Sequence, residues 1–299
     1  MMDFVQIYGL SPQKFDPDRK ETEAYVRSRD IFDGEVLKSL QREPDLIERI
    51  ILTRIVKSFG LEIHFEYISG VGRESRATAY AGSGSTRSVF YLDMVLDKAL
   101  IYLFLTVIAA ICHPEEADQC RENFRFLIRD VLTNRKSTDG DWKDIIKDLH
   151  LDDRAIVQAF GLYWSAWTFM AGHEICHLAE QEGLSVREDE FRADRFGFRA
   201  LIRFIQEQKA GVLPAELDCF YEEYYLAPCM LMEIFREMDR FREKMPAYGG
   251  DDCHPSPEER MQALIELFDT DVPDDMDTEN GNAFLNAFLD AVELIGRET

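Results

Sequence analysis

Residues 173–177, His-Glu-Ile-Cys-His, have the composition and spacing of a metal-dependent hydrolase motif. On a helix, His173 and His177 are four residues apart and project from one face, so that both imidazoles can bind one zinc ion. Glu174 is placed to take a proton from a zinc-activated water rather than to join the ligands. Cys176 projects from a different part of the helix and is predicted to be a buried thiol. The motif therefore predicts a zinc site with Glu174 as the catalytic base.

Two acids downstream of the motif are candidates for completing the site. Glu190 follows His177 by thirteen residues, and Asp194 lies one helical turn further on. On a second helix the two acids share a face, so Glu190 can be the third zinc ligand and Asp194 can accept a hydrogen bond from a ligand histidine. An ordinary surface position for Glu190, within a local acidic run, is the alternative. Three protein ligands leave a position open, as in catalytic zinc sites.

Hydrolysis of a carbonyl substrate at such a zinc site also needs a donor that stabilises the oxyanion. The candidates are His254, in a His-Pro segment, and the tyrosines Tyr221, Tyr224 and Tyr225; His254 is the predicted catalytic residue. Arg260 either orients the site through a carboxylate or is an ordinary helix arginine.

Two consecutive helices are expected to carry these side chains. The first is capped by Asp152 or Asp153 and reaches about residue 181. The second covers about 186–208, with Ser185 as its N-cap and Glu188 completing a capping box. Further helices are predicted near 114–134, 215–243, 256–268 and 283–296, and the acidic stretch 269–280 is predicted to be an exposed linker.

A hairpin is predicted from the β-prone runs 77–81 and 88–92, which flank a Gly-Ser loop. The run 88–92 is the candidate edge strand on which an extended substrate adds by backbone hydrogen bonds. These elements predict an α+β fold that is mainly α-helical, with a small antiparallel sheet. The predicted organisation is a mostly helical N-terminal segment, 1–59, that packs on a catalytic domain, 60–299.

The composition of the chain argues against some classes of binding partner. With 34 basic and 57 acidic residues the chain carries a formal charge of -23, which disfavours binding to nucleic acid or to anionic membranes. The uncharged run 99–112 is shorter than the about 20 residues that span a bilayer, so a buried core helix is expected there. The six cysteines form no CxxC pair and are expected to be reduced thiols. Together with the lack of a signal-peptide pattern, these features predict a cytoplasmic protein without a membrane span.

The order of these motifs resembles that of the gluzincin zinc metallopeptidases, in which HExxH is followed by ExxxD on the next helix. Within that group, the chain is similar to the family of the CAAX prenyl proteases and the heat-shock membrane protease, although it lacks their membrane helices. The hairpin, the two motifs and the segment His-Pro-Ser-Pro-Glu-Glu-Arg at 254–260 carry this resemblance. It implies a zincin-like domain in which the sheet lies over the HExxH helix. A weaker resemblance, in size and motif placement, is to Lit-like phage-exclusion peptidases, which cleave a host protein inside the bacterial cell.

The combined expectation is a zinc-dependent endopeptidase that acts on an intracellular protein or peptide substrate. One alternative is a Lit-like peptidase of bacterial defence that requires an activating partner or peptide. The other is a non-catalytic protein whose zinc stabilises an interaction module; the glutamate within the motif argues against it, because a structural site needs no base.

Overall fold

The computed structural model describes residues 46–61, 65–70, 77–80, 88–133, 149–178, 184–213, 220–244, 254–276 and 278–297. Within these ranges the α-helices are α1 (Leu46–Ser58), α2 (Met94–Cys112), α3 (Ala117–Leu132), α4 (Asp153–Leu178), α5 (Val186–Lys209), α6 (Ala227–Glu243), α7 (Pro257–Glu266), α8 (Phe268–Asp271) and α9 (Thr278–Gly296). Single 3-10 segments, Pro114–Glu116 and Glu222–Leu226, precede α3 and α6. The strands are β1 (Phe65–Gly70), β2 (Ala77–Tyr80) and β3 (Ser88–Asp93).

The expected α+β fold with a small antiparallel sheet is wrong. The described residues are nearly all helical, and only the mainly helical part of the expectation holds. The three short strands form a mixed sheet in the order β1-β3-β2, with β1 parallel to β3 and β2 antiparallel to β3. The prediction failed because it paired only the two runs that are adjacent in sequence, whereas β1 joins from further back in the chain.

Strand β3 lies at the centre of the sheet rather than at its edge. Its residues pair with β1 on one side and with β2 on the other, from Phe65 opposite Ser88 to Ala77 opposite Leu92. Both rows of backbone hydrogen-bonding groups of a central strand are already used within the sheet. The proposal that 88–92 receives an extended substrate is therefore wrong.

The two helices of the predicted site form as expected, and local capping defines their starts. Asp152 accepts a hydrogen bond from the backbone nitrogen of Ala155 (2.7 Å) at the start of α4. Ser185 and Glu188 form the predicted capping box at the start of α5. These caps fix where each helix begins, and thereby which residues of each helix face the other.

Helices α4 and α5 are in close contact where two glycines face each other. A Cβ atom added to Gly197 would lie 2.4 Å from the carbonyl oxygen of Phe169 and 3.1 Å from the backbone nitrogen of His173. A Cβ atom on Gly172 would lie 2.8 Å from the Cα atom of Gly197. The missing side chains let the backbone of α5 approach α4 next to the HExxH motif.

The apolar run 99–112 lies in α2, where Leu100, Leu103 and Phe104 are fully buried. In the part of the chain described here, no helix by itself has both the length and the apolar character to cross a bilayer. One pair, Leu96–Cys112 followed by Pro114–Leu132, meets these criteria only when taken together, and its two parts are bent by 119°.

The acidic stretch 269–280 is not simply an exposed linker, as was predicted. It contains part of α8 and the start of α9, and Met276 within it is buried. Arg199 of α5 donates two hydrogen bonds to Asp271, at 2.9 and 3.2 Å. These pairs attach the stretch to the outer face of α5. Of the predicted segment 1–59, residues 1–45 lie outside the described residues, and α1 packs against α4, so the domain division stays a prediction.

Gly197→Ala is expected to destabilise the protein by about 1–3 kcal/mol, because the added methyl group overpacks the α4–α5 contact. At an unconstrained helix position the same change would instead stabilise by about 0.5–1 kcal/mol, so the sign of the effect tests the contact. Urea unfolding followed by circular dichroism measures it. Gln206→Ala, on the exposed side of α5, is the control and is expected to change little. A Gly197→Ala variant as stable as the wild type would contradict the close approach.

Candidate metal centre

The last two turns of α4 bring the two motif histidines together. The Nε2 atoms of His173 and His177 are 3.0 Å apart, and their rings meet edge to face. His173 is 6% exposed, so its ring is held by surrounding protein. The spacing of four residues thus has the effect predicted from helix geometry.

Glu190, in the second turn of α5, reaches the same point. Its carboxylate oxygens lie 3.4 Å from Nε2 of His173 and 3.6 Å from Nε2 of His177. Potential ligand atoms of the three residues all lie within 4.8 Å of one another, and the group could hold a metal ion. The alternative of an ordinary surface position does not apply to Glu190, whose side chain is 12% exposed.

Asp194 is hydrogen-bonded to His173 of the cluster and also to Arg260. Nδ1 of His173 donates to Asp194 (2.9 Å), as the sequence predicts for this acid. Arg260, in α7, donates to both oxygens of Asp194, at 2.6 and 2.8 Å. Of the two roles open to Arg260, the structure therefore shows the orienting one. Burial opposes the ionised form of Asp194, but the charge and hydrogen bonds of Arg260 outweigh it and hold the pKa well below its usual range.

A second carboxylate, which the sequence analysis did not single out, supports His177. Nδ1 of His177 donates to Asp189 (2.8 Å), and Arg192 donates to the same carboxylate at 2.6 and 3.0 Å. Arg192 also donates to the backbone carbonyl of Cys176 in the motif (3.2 Å). The sequence does contain a signal for this contact. An acid lies next to the predicted ligand Glu190, and an arginine follows that acid three residues later. The signal is weak, because Asp189 lies within a local acidic run whose members the sequence alone does not distinguish.

The carboxylates indicate which ring nitrogens donate. Both Nδ1 atoms are placed to donate to a carboxylate, so that neutral imidazoles would direct both Nε2 lone pairs towards the same point. Burial lowers the pKa of His173, but the hydrogen bonds with Asp194 and Glu190 outweigh it and raise the pKa to about 9. Burial and the charge of His173 lower the pKa of His177. Because metal ligation requires neutral imidazoles, a metal ion at this point would compete with protons for the two rings.

Glu174 lies on the wall of a cleft beside the cluster. It is 7% exposed, and the cleft, about 280 Å³ in volume, is also lined by His173, His254 and Arg260. Nδ1 of His254 is 3.2 Å from a carboxylate oxygen of Glu190, while about half of the histidine side chain is exposed. The structure therefore brings the predicted base and the predicted oxyanion donor to one opening.

The three tyrosines considered as oxyanion donors are elsewhere. Tyr224 and Tyr225 are buried, and Tyr221 is exposed. The ring of Tyr224 packs against Gly161, which lies about 18 Å along the helix from the motif at a rise of about 1.5 Å per residue. None of them lines the cleft described here. Cys176 is buried, burial raises the pKa of its thiol to about 11, and it is not among the three residues that could hold a metal.

Comparisons with known proteins do not place the chain in a family. No family model, curated protein or solved structure matches it. The resemblances noted in the sequence therefore stay expectations, and the functional argument depends on the geometry of the site.

Asp189→Asn is expected to weaken zinc binding by about 10- to 100-fold, because the variant loses the charge that orients and polarises His177. The zinc affinity is measured by competition with a chromophoric chelator. Folding should be nearly unaffected, since the Asp189 side chain is 32% exposed. Asp290→Asn, at an exposed position of α9, is the matched control. Unchanged affinity in Asp189→Asn would show that His177 needs no such support.

Asp194→Ala is expected to act differently, by destabilising the metal-free protein by about 3–5 kcal/mol. The reason is that Arg260 would keep its charge in a buried site without the carboxylate that balances it. Chelator-treated protein unfolded in urea measures this effect separately from metal binding. A double variant, Asp194→Ala with Arg260→Met, should recover part of the loss, and failure to recover any would argue against the ion pair as its cause.

Proposed function

We propose that the chain is a zinc-dependent peptidase that hydrolyses peptide bonds in protein or peptide substrates. The observation that carries the proposal is the convergence of His173, His177 and Glu190, with Glu174 on the adjoining cleft. Two imidazoles and one carboxylate with an open side are a ligand set of catalytic zinc sites.

The donor geometry fits zinc. Ligand atoms about 2.1 Å from a tetrahedral zinc ion are about 3.4 Å apart, and the separations here are 3.0, 3.4 and 3.6 Å. Zinc held by these residues would lower the pKa of a bound water to about 7 and polarise a scissile carbonyl. The support of both Nδ1 atoms by carboxylates is also the arrangement found around zinc-binding histidines.

Glu174 is the proposed general base. Its position in the motif directs it away from the ligand set, and it lies on the cleft where substrate would enter. In the proposed reaction its carboxylate accepts a proton from the attacking water and delivers that proton to the leaving amine. Its low exposure limits competing contact with solvent.

His254 is the proposed donor to the developing oxyanion. It lines the same cleft and is more exposed than the ligand histidines, so a substrate oxygen can reach it. A role as a fourth protein ligand would close the site, which would instead favour the non-catalytic alternative. The opening of the cleft next to Glu174 supports turnover rather than a closed structural site.

Metal analysis and activity together test the proposal. Purified wild type is expected to contain about one zinc ion per chain, and His177→Ala to lose it. Glu174→Gln should keep zinc and the fold but lose at least about 100-fold in hydrolysis of a mixed fluorogenic peptide library, because the general base is gone. Glu279→Gln, in the exposed first turn of α9, controls for loss of a glutamate charge. Zinc-loaded wild type that cleaves no better than Glu174→Gln would contradict a peptidase.

A further inference from the structure

The cleft beside the cluster is lined by two chemically different groups of residues. The polar group includes His173, Glu174, His254 and Arg260. The apolar group comes from α2, α4 and α6 and consists of Leu96, Phe169, Met170, Met232, Phe235 and Met238. A concave apolar surface that ends at a group of polar residues is the usual form of a ligand site.

On α4, apolar and reactive residues of the cleft lie on the same face of the helix. Phe169 and Met170 precede His173 by four and three residues, so they lie one turn before it on α4. A group bound against Phe169 and Met170 is therefore held directly next to Glu174. For a peptide substrate, such a group is the side chain of a residue that flanks the bond to be cut.

Helix α6 contributes residues spaced by three or four to the apolar group. Met232, Phe235 and Met238 are followed by Asp239 and Arg242, which also line the cleft. Arg242 donates to Asp239 (3.1 Å), so each charge has a partner of opposite sign. These two charges of the cleft lining therefore offset each other, and neither is left to select a lysine or an acidic side chain.

Three of the six apolar residues are methionines. Methionine side chains adapt their shape and make favourable contacts with aromatic rings. A surface of this kind accepts several large apolar side chains, whereas an alanine or glycine would leave most of the cleft unfilled and lose the burial of apolar area.

We infer that this cleft is a specificity pocket for a large apolar side chain, aromatic or unbranched, next to the scissile bond. The inference rests on the proposed peptidase function. It adds the substrate class, and it assigns Phe235 and the three methionines as residues that determine specificity.

Binding of two small hydroxamates to the zinc-loaded protein tests the pocket without any need for turnover. Acetohydroxamate carries only the metal-binding group, and 3-phenylpropanohydroxamate adds one phenyl ring. The phenyl compound is expected to bind roughly tenfold or more tightly by calorimetry, as burial of an aromatic ring predicts. Phe235→Ala should reduce this ratio to about threefold or less and leave the affinity for acetohydroxamate unchanged.

Phe241→Ala is the matched control. Phe241 is a half-buried phenylalanine of the same helix that does not line the cleft, and its removal should leave the ratio unchanged. Equal binding of the two hydroxamates to wild type would overturn the pocket while leaving the metal site and the proposed function intact. A ratio that responds equally to Phe235→Ala and Phe241→Ala would also overturn it. A wild type that binds no zinc would overturn the proposed function and this inference together.

Cleavage products give a second readout. In digests of a peptide library, bonds flanked on one fixed side by Phe or Met should be cut at least about tenfold faster than bonds flanked by Ala, Lys or Asp. Cleavage by wild type but not by Glu174→Gln, without such a preference, would support the peptidase and overturn the pocket.

Discussion

One buried carboxylate, Asp194, joins the three helices that build the site. It lies on α5, accepts a hydrogen bond from His173 of α4, and is held through both oxygens by Arg260 of α7. Removing a carboxylate and a guanidinium from water costs several kcal/mol for each ion, which good geometry only offsets. The pair therefore contributes position more than net stability. It fixes which nitrogen of His173 carries a proton, and so which nitrogen faces Glu190.

Capping boxes at the starts of α5 and α7 set the positions of Asp194 and Arg260 along these helices. Ser185 caps α5 and Ser256 caps α7, each with a glutamate three residues later that completes a capping box. Arg187, in the first turn of α5, pairs with Glu259 in the first turn of α7, so the two capped ends are attached to each other. The glycine contact between α4 and α5 then sets how closely Glu190 approaches the histidines.

Sequence reasoning succeeded where the determining interactions are local. The spacing of His173 and His177 and the capping box at Ser185 depend on residues within one helical turn, and both appear as predicted. It failed where distant segments decide the outcome. The order of the strands depends on β1, and the support of His177 by Asp189 depends on the angle between two helices. The choice between two roles for Arg260 needed the position of α7, which no spacing in the chain specifies.

The charges around the cluster explain why a divalent cation suits it. Asp189, Glu190, Asp194 and Glu174 are carboxylates, while Arg192 and Arg260 are guanidiniums, so these six groups carry a charge of minus two when ionised. The negative charges of Asp194, Glu190 and Glu174 raise the pKa of Arg260 above its usual range. The guanidinium of Arg260 balances only part of the negative charge of these carboxylates. A divalent cation bound by His173, His177 and Glu190 would balance the remainder. With that cation bound, both histidines would be neutral, and Glu174 could remain ionised beside the cleft, which is the state that a general base requires.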